Sequence, residues 1–176
     1  MSSAVMLSIQ PRWCELIASG EKTIEVRKSR PRIDPPFKCY IYCTKPKYEH
    51  EDFLVLDAGT EKARAFYAGG SVIGAFVCDA ILPISIECSD PTALTTHYEV
   101  PGTGLSDVEI MEYLGNGVEG YGWHISDLMI YDTPKELREF SQIKTMRSNG
   151  GRMQEFRNPL QFPPQSWCYT EEIDNG

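Results

Sequence analysis

The sequence predicts an α+β fold: a small mixed β-barrel with short helices flanking it, in one domain over residues 1–176. Three observations carry that expectation. Short runs rich in β-branched and aromatic residues recur between polar or Pro/Gly-rich turns. Brief segments with helix start and stop signals lie between those runs. The length of 176 residues, with 41% hydrophobic and 24% charged side chains, suits one ordinary globular domain whose core needs no disulfide staples.

Taken in order, residues 5–9 read as a strand. Pro11 suits the first turn of a helix and Gly20 its stop, with Trp13, Leu16 and Ile17 turned inward. Residues 23–28 alternate, Ile24 and Val26 to one side and Thr23, Glu25 and Arg27 to the other. Pro31, Pro35 and Pro36 mark an extended loop before a strand over residues 37–44. A short helix is predicted near residues 61–67, then a long strand over 71–86 that bends at Pro83. Residues 89–104 read as loop. Ser106 and Glu109 form a capping box for a helix that Gly115 closes. Gly117, Gly120 and Gly122 read as a loose turn ahead of a strand over residues 123–131. Thr133-Pro134 with Glu136 caps a short helix through Phe140. Residues 144–165, with Ser148-Asn149-Gly150-Gly151 and three prolines, read as an irregular loop, and residues 167–172 as a last strand.

Composition narrows the function classes. The net charge of -8 argues against a protein that coats long nucleic acid with positive charge. The charge is uneven, however. Residues 1–48 hold nine Lys/Arg and four acids, a local balance of +5, and the remainder sums to -13. A second, thinner basic group is Lys144, Arg147, Arg152 and Arg157. This pattern fits either a solvated basic face or a local anion site on a repulsive body, the latter suiting a short nucleotide segment rather than a long duplex. No apolar run reaches the roughly 20 residues of a membrane span, and the N-terminus lacks signal-peptide features. The expectation is a cytoplasmic protein with no membrane partner. The six cysteines then read as free thiols. There is no CxxC, and His50, His97 and His124 form no ligand spacing, so neither a metal nor another cofactor is expected.

The informative segment is Gly20-Glu21-Lys22-Thr23-Ile24-Glu25-Val26-Arg27. Glu25 and Arg27 are two apart on a strand and point the same way, with Lys22 at the preceding turn. Lys22 and Arg27 can clamp an anion beside Glu25, a hydrogen-bond acceptor or general base. The same spacing also suits an exposed salt bridge of small worth. Trp123 is a candidate stacking face for a base, and His124 a candidate ligand contact or acid/base. A tryptophan on a strand is more often a core residue, and a lone histidine more often a structural one.

The pattern GxKxxExR, here Gly20, Lys22, Glu25 and Arg27, resembles the signature of the ASCH domain family, in its bacterial and phage-type branch. Residues 72–78, 121–126 and 163–169 resemble the same family. The resemblance implies a PUA-like fold with a cleft lined by the signature residues and facing RNA or a modified nucleoside. It leaves enzymatic activity open. One subgroup resembles small amidohydrolases that deacetylate N4-acetylcytidine. Lys22 matches their lysine, Glu25 stands where they carry threonine, and Glu109 or Glu112 is the candidate for their later carboxylate. Catalysis there would rest on Lys22 and Glu25, although a carboxylate beside a lysine tends to hold it protonated and blunt it as a base. A ribonuclease pairing Glu25 with His124, and a module that binds a protein partner, are the remaining alternatives.

Overall fold

The computed structural model describes residues 3–45, 69–87, 99–148 and 151–173. The short helix predicted at 61–67, His50 and His97 lie outside the described residues. The strands are β1 (Ser3–Ile9), β2 (Ile24–Arg27), β3 (Phe37–Cys43), β4 (Ser71–Ile84), β5 (Glu99–Val100), β6 (Leu105–Ser106), β7 (Gly120–Lys135), β8 (Ser141–Arg147), β9 (Met153–Pro159) and β10 (Trp167–Glu171). Two helices, α1 (Pro11–Ala18) and α2 (Asp107–Leu114), accompany them.

Eight strands form one sheet in the order β2-β7-β4-β3-β1-β10-β8-β9, and β5 pairs with β6 separately. Only β1 and β3 run parallel; their neighbours are antiparallel. This mostly-β architecture with two short helices agrees with the α+β expectation, but the sheet does not close into a barrel. Among the described residues no ladder joins β2 to β9. At one end β8 meets β10 through the single pair Thr170↔Gln142, and β9 pairs only with β8 among the described residues.

That hairpin also corrects the loop expected at 144–165. Residues 141–147 and 153–159 pair along their whole length, and Gly151 (φ 77°) helps turn the chain between them. The strand signal is weak because β9 is exposed throughout, so no face is apolar. Gly120 and Gly122 likewise belong to strand β7 rather than to a turn. A Cβ on Gly122 would come within 2.6 Å of Ile84 and 2.8 Å of Ile24, so glycine is what lets β2 and β4 flank β7 closely. Thr133 and Pro134 continue β7, and only a 3-10 turn at Leu137–Glu139 remains of the helix expected there. Strand β4 stays paired through Pro83, opposite Tyr121. Its irregularities lie earlier, between Val72 and Ile81.

The main core lies where α1 covers β1, β3 and β4. Leu7, Ile9, Cys14, Ile17, Ile41, Ile73, Phe76 and Trp123 are fully buried there. Helix α1 turns Cys14, Ile17 and Ala18 inward, which leaves Trp13 and Leu16 at the margin. Val26 packs with Ile110 and Leu114 of α2 on the other side of β2. The five described cysteines are free and buried, and burial pushes Cys78 up to about 12 and Cys168 to about 11. No helix among the described residues is long and apolar enough to cross a membrane.

Candidate functional site

Strand β2 is short because its sequence does two jobs at once. Ile24 and Val26 face α2, while Glu25 and Arg27 face the core side, where their cross-strand partners are Trp123 and Tyr121. The chain enters β2 through a turn in which Lys22 N donates to Leu16 O, fixing Lys22 against the end of α1. The loop at Gly102-Thr103 docks on the same turn. Gly102 O accepts from the backbone N of both Thr23 and Ile24 at 2.8 Å. Gly102 has φ 75°, and a Cβ there would meet Thr23 Oγ1 at 2.5 Å, so this contact requires glycine.

The three signature side chains are therefore buried, with relative exposures of 2% for Lys22 and 6% for both Glu25 and Arg27. They satisfy one another. Lys22 Nζ lies 3.3 Å from Glu25 Oε2 and donates to Ile24 O at 2.8 Å and Thr103 O at 2.5 Å. Arg27 Nη2 lies 2.9 Å from Glu25 Oε1 and donates to Ser8 O at 2.9 Å. Arg27 Nη1 reaches Ser166 Oγ at 3.3 Å and Ser166 O at 3.4 Å. All three protons of the Lys22 ammonium are thus engaged. Arg27 Nε is buried without a partner among the described residues.

Burial pushes the pKa of Lys22 below its ordinary 10.5, and the Arg27 charge adds to that. The attraction of Glu25 opposes it without winning. A glutamate neighbour alone would hold the lysine protonated; burial reverses the balance.

This network forms one wall of a cleft of about 630 Å3. Its lining includes Ser8 and Ile9 at the end of β1, Trp13 of α1, Gln165 and Ser166 ahead of β10, and Glu109, Glu112 and Tyr113 of α2. Lys22, Glu25 and Arg27 are thus brought together on it. Trp123 and His124 are not. Trp123 is fully buried, edge-on to Phe37 with centroids 5.8 Å apart, and its indole offers no face to a ligand. His124 alternates to the opposite side of β7, where Nδ1 lies 2.6 Å from Asp79 Oδ1. That bond holds the exposed Asp79 carboxyl below its usual range. A Glu25–His124 acid/base pair is therefore not assembled. Tyr40 and Tyr42 are also core residues.

The fold and this geometry can be set beside known proteins. Residues 7–80 match the model of the ASCH domain family, which takes in the end of β1, α1, the charged strand β2, β3 and most of β4. This part of the chain is similar to an ASCH domain. The crystal structure of ASCH from Zymomonas mobilis is similar over 94% of this chain and 86% of that one, with a TM-score of 0.56 and 21% identity. Two single-substitution variants of that protein match with the same TM-score and identity, covering 88% and 87% of their chains. At that identity the likeness shows the fold alone. No curated protein matches the chain at a significant level.

Within the cleft, several residues escape sequence reasoning. Trp13 and Tyr113 supply the aromatic walls. Each carries a cation: the Arg12 guanidinium sits 4.4 Å from the Trp13 ring centroid, and Lys28 Nζ 5.0 Å from that of Tyr113. Arg12 and Lys28 are exposed, so they, and not the saturated Lys22, are the solvent-accessible cations beside these aromatic walls. The excess of positive charge in residues 1–48 points to them only collectively. Of the two α2 carboxylates on the lining, Glu109 caps its own helix, accepting from Ser106 N at 2.9 Å, with Arg12 at 3.7 Å. Glu112 is on the lining without such a cap.

Proposed function

We propose that the cleft binds a nucleobase that presents an exocyclic amino group, within RNA or as a modified nucleoside. The observation that carries this reading is the Glu25 carboxylate, held on the cleft wall by two buried cations. A carboxylate accepts hydrogen bonds only, and two oxygens offer about four acceptor positions. Lys22 and Arg27 take one on each oxygen, which leaves acceptor capacity for a ligand. The pairing of Glu with the N4 amino group of cytosine is a recurrent one, whereas uracil offers O4 there. Trp13 and Tyr113 give the base its stacking surfaces. Arg12 and Lys28 beside them meet a phosphate, and the unpartnered Arg27 Nε is a donor for a carbonyl or a water. Lys22 acts as a positioning residue: its protons tie Glu25 to the Thr103 loop.

A thermal-shift panel of the four nucleoside monophosphates and N4-acetylcytidine tests this. Saturation at 100 times the dissociation constant contributes about 2.7 kcal/mol. For a chain of this size that raises the melting temperature by about 5–10 °C. Cytidine monophosphate is expected to shift the protein more than uridine monophosphate, and Glu25→Gln to remove the difference. Equal shifts with both, or none with any compound, contradict the reading.

A second reading has one observation in its favour. The lowered pKa of Lys22 makes its neutral amine more accessible than in water. This supports amide hydrolysis of an acylated nucleoside by Lys22 and Glu25. Release of acetate from N4-acetylcytidine, lost in Lys22→Arg, would establish it. No turnover by folded protein over hours removes it.

A further inference from the structure

The β8–β9 hairpin holds the second basic group, and the cleft does not use it. It joins the sheet through one backbone pair with β10 and the Arg157–Glu171 ion pair, and residues 144–147 of β8 and all of β9 are exposed. It carries Lys144, Arg147, Arg152 and Arg157 against one acid, Glu155, in a chain of net charge -8. Arg157 is engaged by Glu171 at 3.0 Å and Glu155 at 3.6 Å. Lys144, Arg147 and Arg152 make no ion pair among the described residues.

Large apolar side chains alternate with these cations. Met146 is 58% exposed, Met153 64% and Phe156 41%. The register sets Lys144 directly opposite Phe156 and Arg147 opposite Met153. Each face of the ribbon therefore pairs a cation with an apolar surface.

Its direction relates it to the cleft. Strand β10 begins beside Ser166, on the cleft wall, and β8 runs antiparallel to β10. The exposed end of β8 therefore heads towards the cleft end of the sheet. The connection from β9 back to Ser166 carries Phe162, which is 81% exposed.

We propose that the β8–β9 ribbon is a second contact surface for a single-stranded nucleic acid, one base of which occupies the cleft. This rests on the nucleobase reading of the cleft and extends it, making the ligand an oligonucleotide. Charge complementarity selects the occupant. Surfaces for single strands combine cations that follow the phosphates with aromatic groups that stack on bases, and this ribbon has both. The acidic remainder of the chain limits contact to a short segment.

The full chain is titrated with a fluorescent single-stranded RNA of about ten nucleotides, the same sequence as a duplex, and cytidine monophosphate, each at two salt concentrations. The wild-type chain binds the single strand at least about tenfold more tightly than the mononucleotide. The triple variant Lys144→Ala, Arg147→Ala, Arg152→Ala loses that gain. Its plot of log affinity against log salt flattens by about 2, since each phosphate contact on a single strand contributes about 0.7. Mononucleotide affinity stays within about twofold. Phe156→Ala weakens the single strand without changing the slope.

An oligonucleotide bound no better than the mononucleotide overturns the ribbon while sparing the cleft. So does an unchanged slope in the triple variant, or preference for the duplex. Ribbon-dependent binding of the RNA that Glu25→Gln leaves untouched overturns the cleft reading instead. No binding of either probe overturns both.

Discussion

Strands β2 and β8 look alike as sequence and behave as opposites in the fold. Ile24-Glu25-Val26-Arg27 and Ile143-Lys144-Thr145-Met146-Arg147 both set charged residues among apolar or β-branched ones. In β2 the charges are about 94% buried and linked into one network. In β8 they are exposed and without ion pairs among the described residues. What separates them is cover, not composition. Strand β2 has α2 on one face and the cleft wall of α1 and β1 on the other, whereas the ribbon lies at the end of the sheet and is exposed among the described residues. A buried charge must have partners, so β2 is structurally committed, and an exposed one is available to a ligand.

The comparison breaks first on stability. Glu25→Ala leaves two cations buried against each other and is expected to cost about 3–5 kcal/mol. At about 2–4 °C per kcal/mol that lowers the melting temperature by roughly 6–20 °C, which calorimetry reads directly. A loss near zero would mean the network is solvated and β2 resembles β8 after all.

Two tryptophans sharpen the same contrast. Trp123→Ala opens the core and is expected to cost about 3–5 kcal/mol in a denaturant titration. Trp13→Ala destabilises much less, but weakens nucleotide binding about 5- to 150-fold if a base stacks there, corresponding to about 1–3 kcal/mol.

A smaller effect follows from pH. Folding lowers the Lys22 pKa, so between that lowered value and 10.5 the unfolded chain binds more protons there than the folded one. Stability then rises with pH through this window. Denaturation midpoints of wild type minus Lys22→Met are expected to move in favour of wild type from pH 7 to 10. Movement the other way would mean Glu25 outweighs burial. Smallest of all, Lys144→Ala, Arg147→Ala and Arg152→Ala should each stay within about 0.5 kcal/mol of wild type in stability.

Much of the fold is legible because its signals are local. The apolar run of β1, Pro11 at the start of α1 and the Ser106/Glu109 capping box each specify an element by short-range physics, and all three stand in the structure. The β8–β9 hairpin is not legible, since a strand exposed on both faces leaves no period to read. Barrel closure depends on whether the end strands meet, which no local pattern encodes. In the site, the spacing of Glu25 and Arg27 already places them on one face. The pairing of Trp123 with the core and of His124 with Asp79 comes from strand register and long-range contact. Trp13 reads as a core residue by helical period, yet the two positions next to it in the turn, Cys14 and Ile17, take the core and leave Trp13 to the cleft.

The most direct test uses the indole N–H signals of the three tryptophans. In a 1H–15N spectrum they are assigned by single substitution to Phe and followed during titration with cytidine monophosphate. A base held between Trp13 and Tyr113 against Glu25 moves the Trp13 signal to saturation and leaves Trp123, sealed in the core, in place. A saturable shift of Trp123 with Trp13 unmoved would contradict the cleft assignment, and so would a silent spectrum for every nucleotide and for single-stranded RNA.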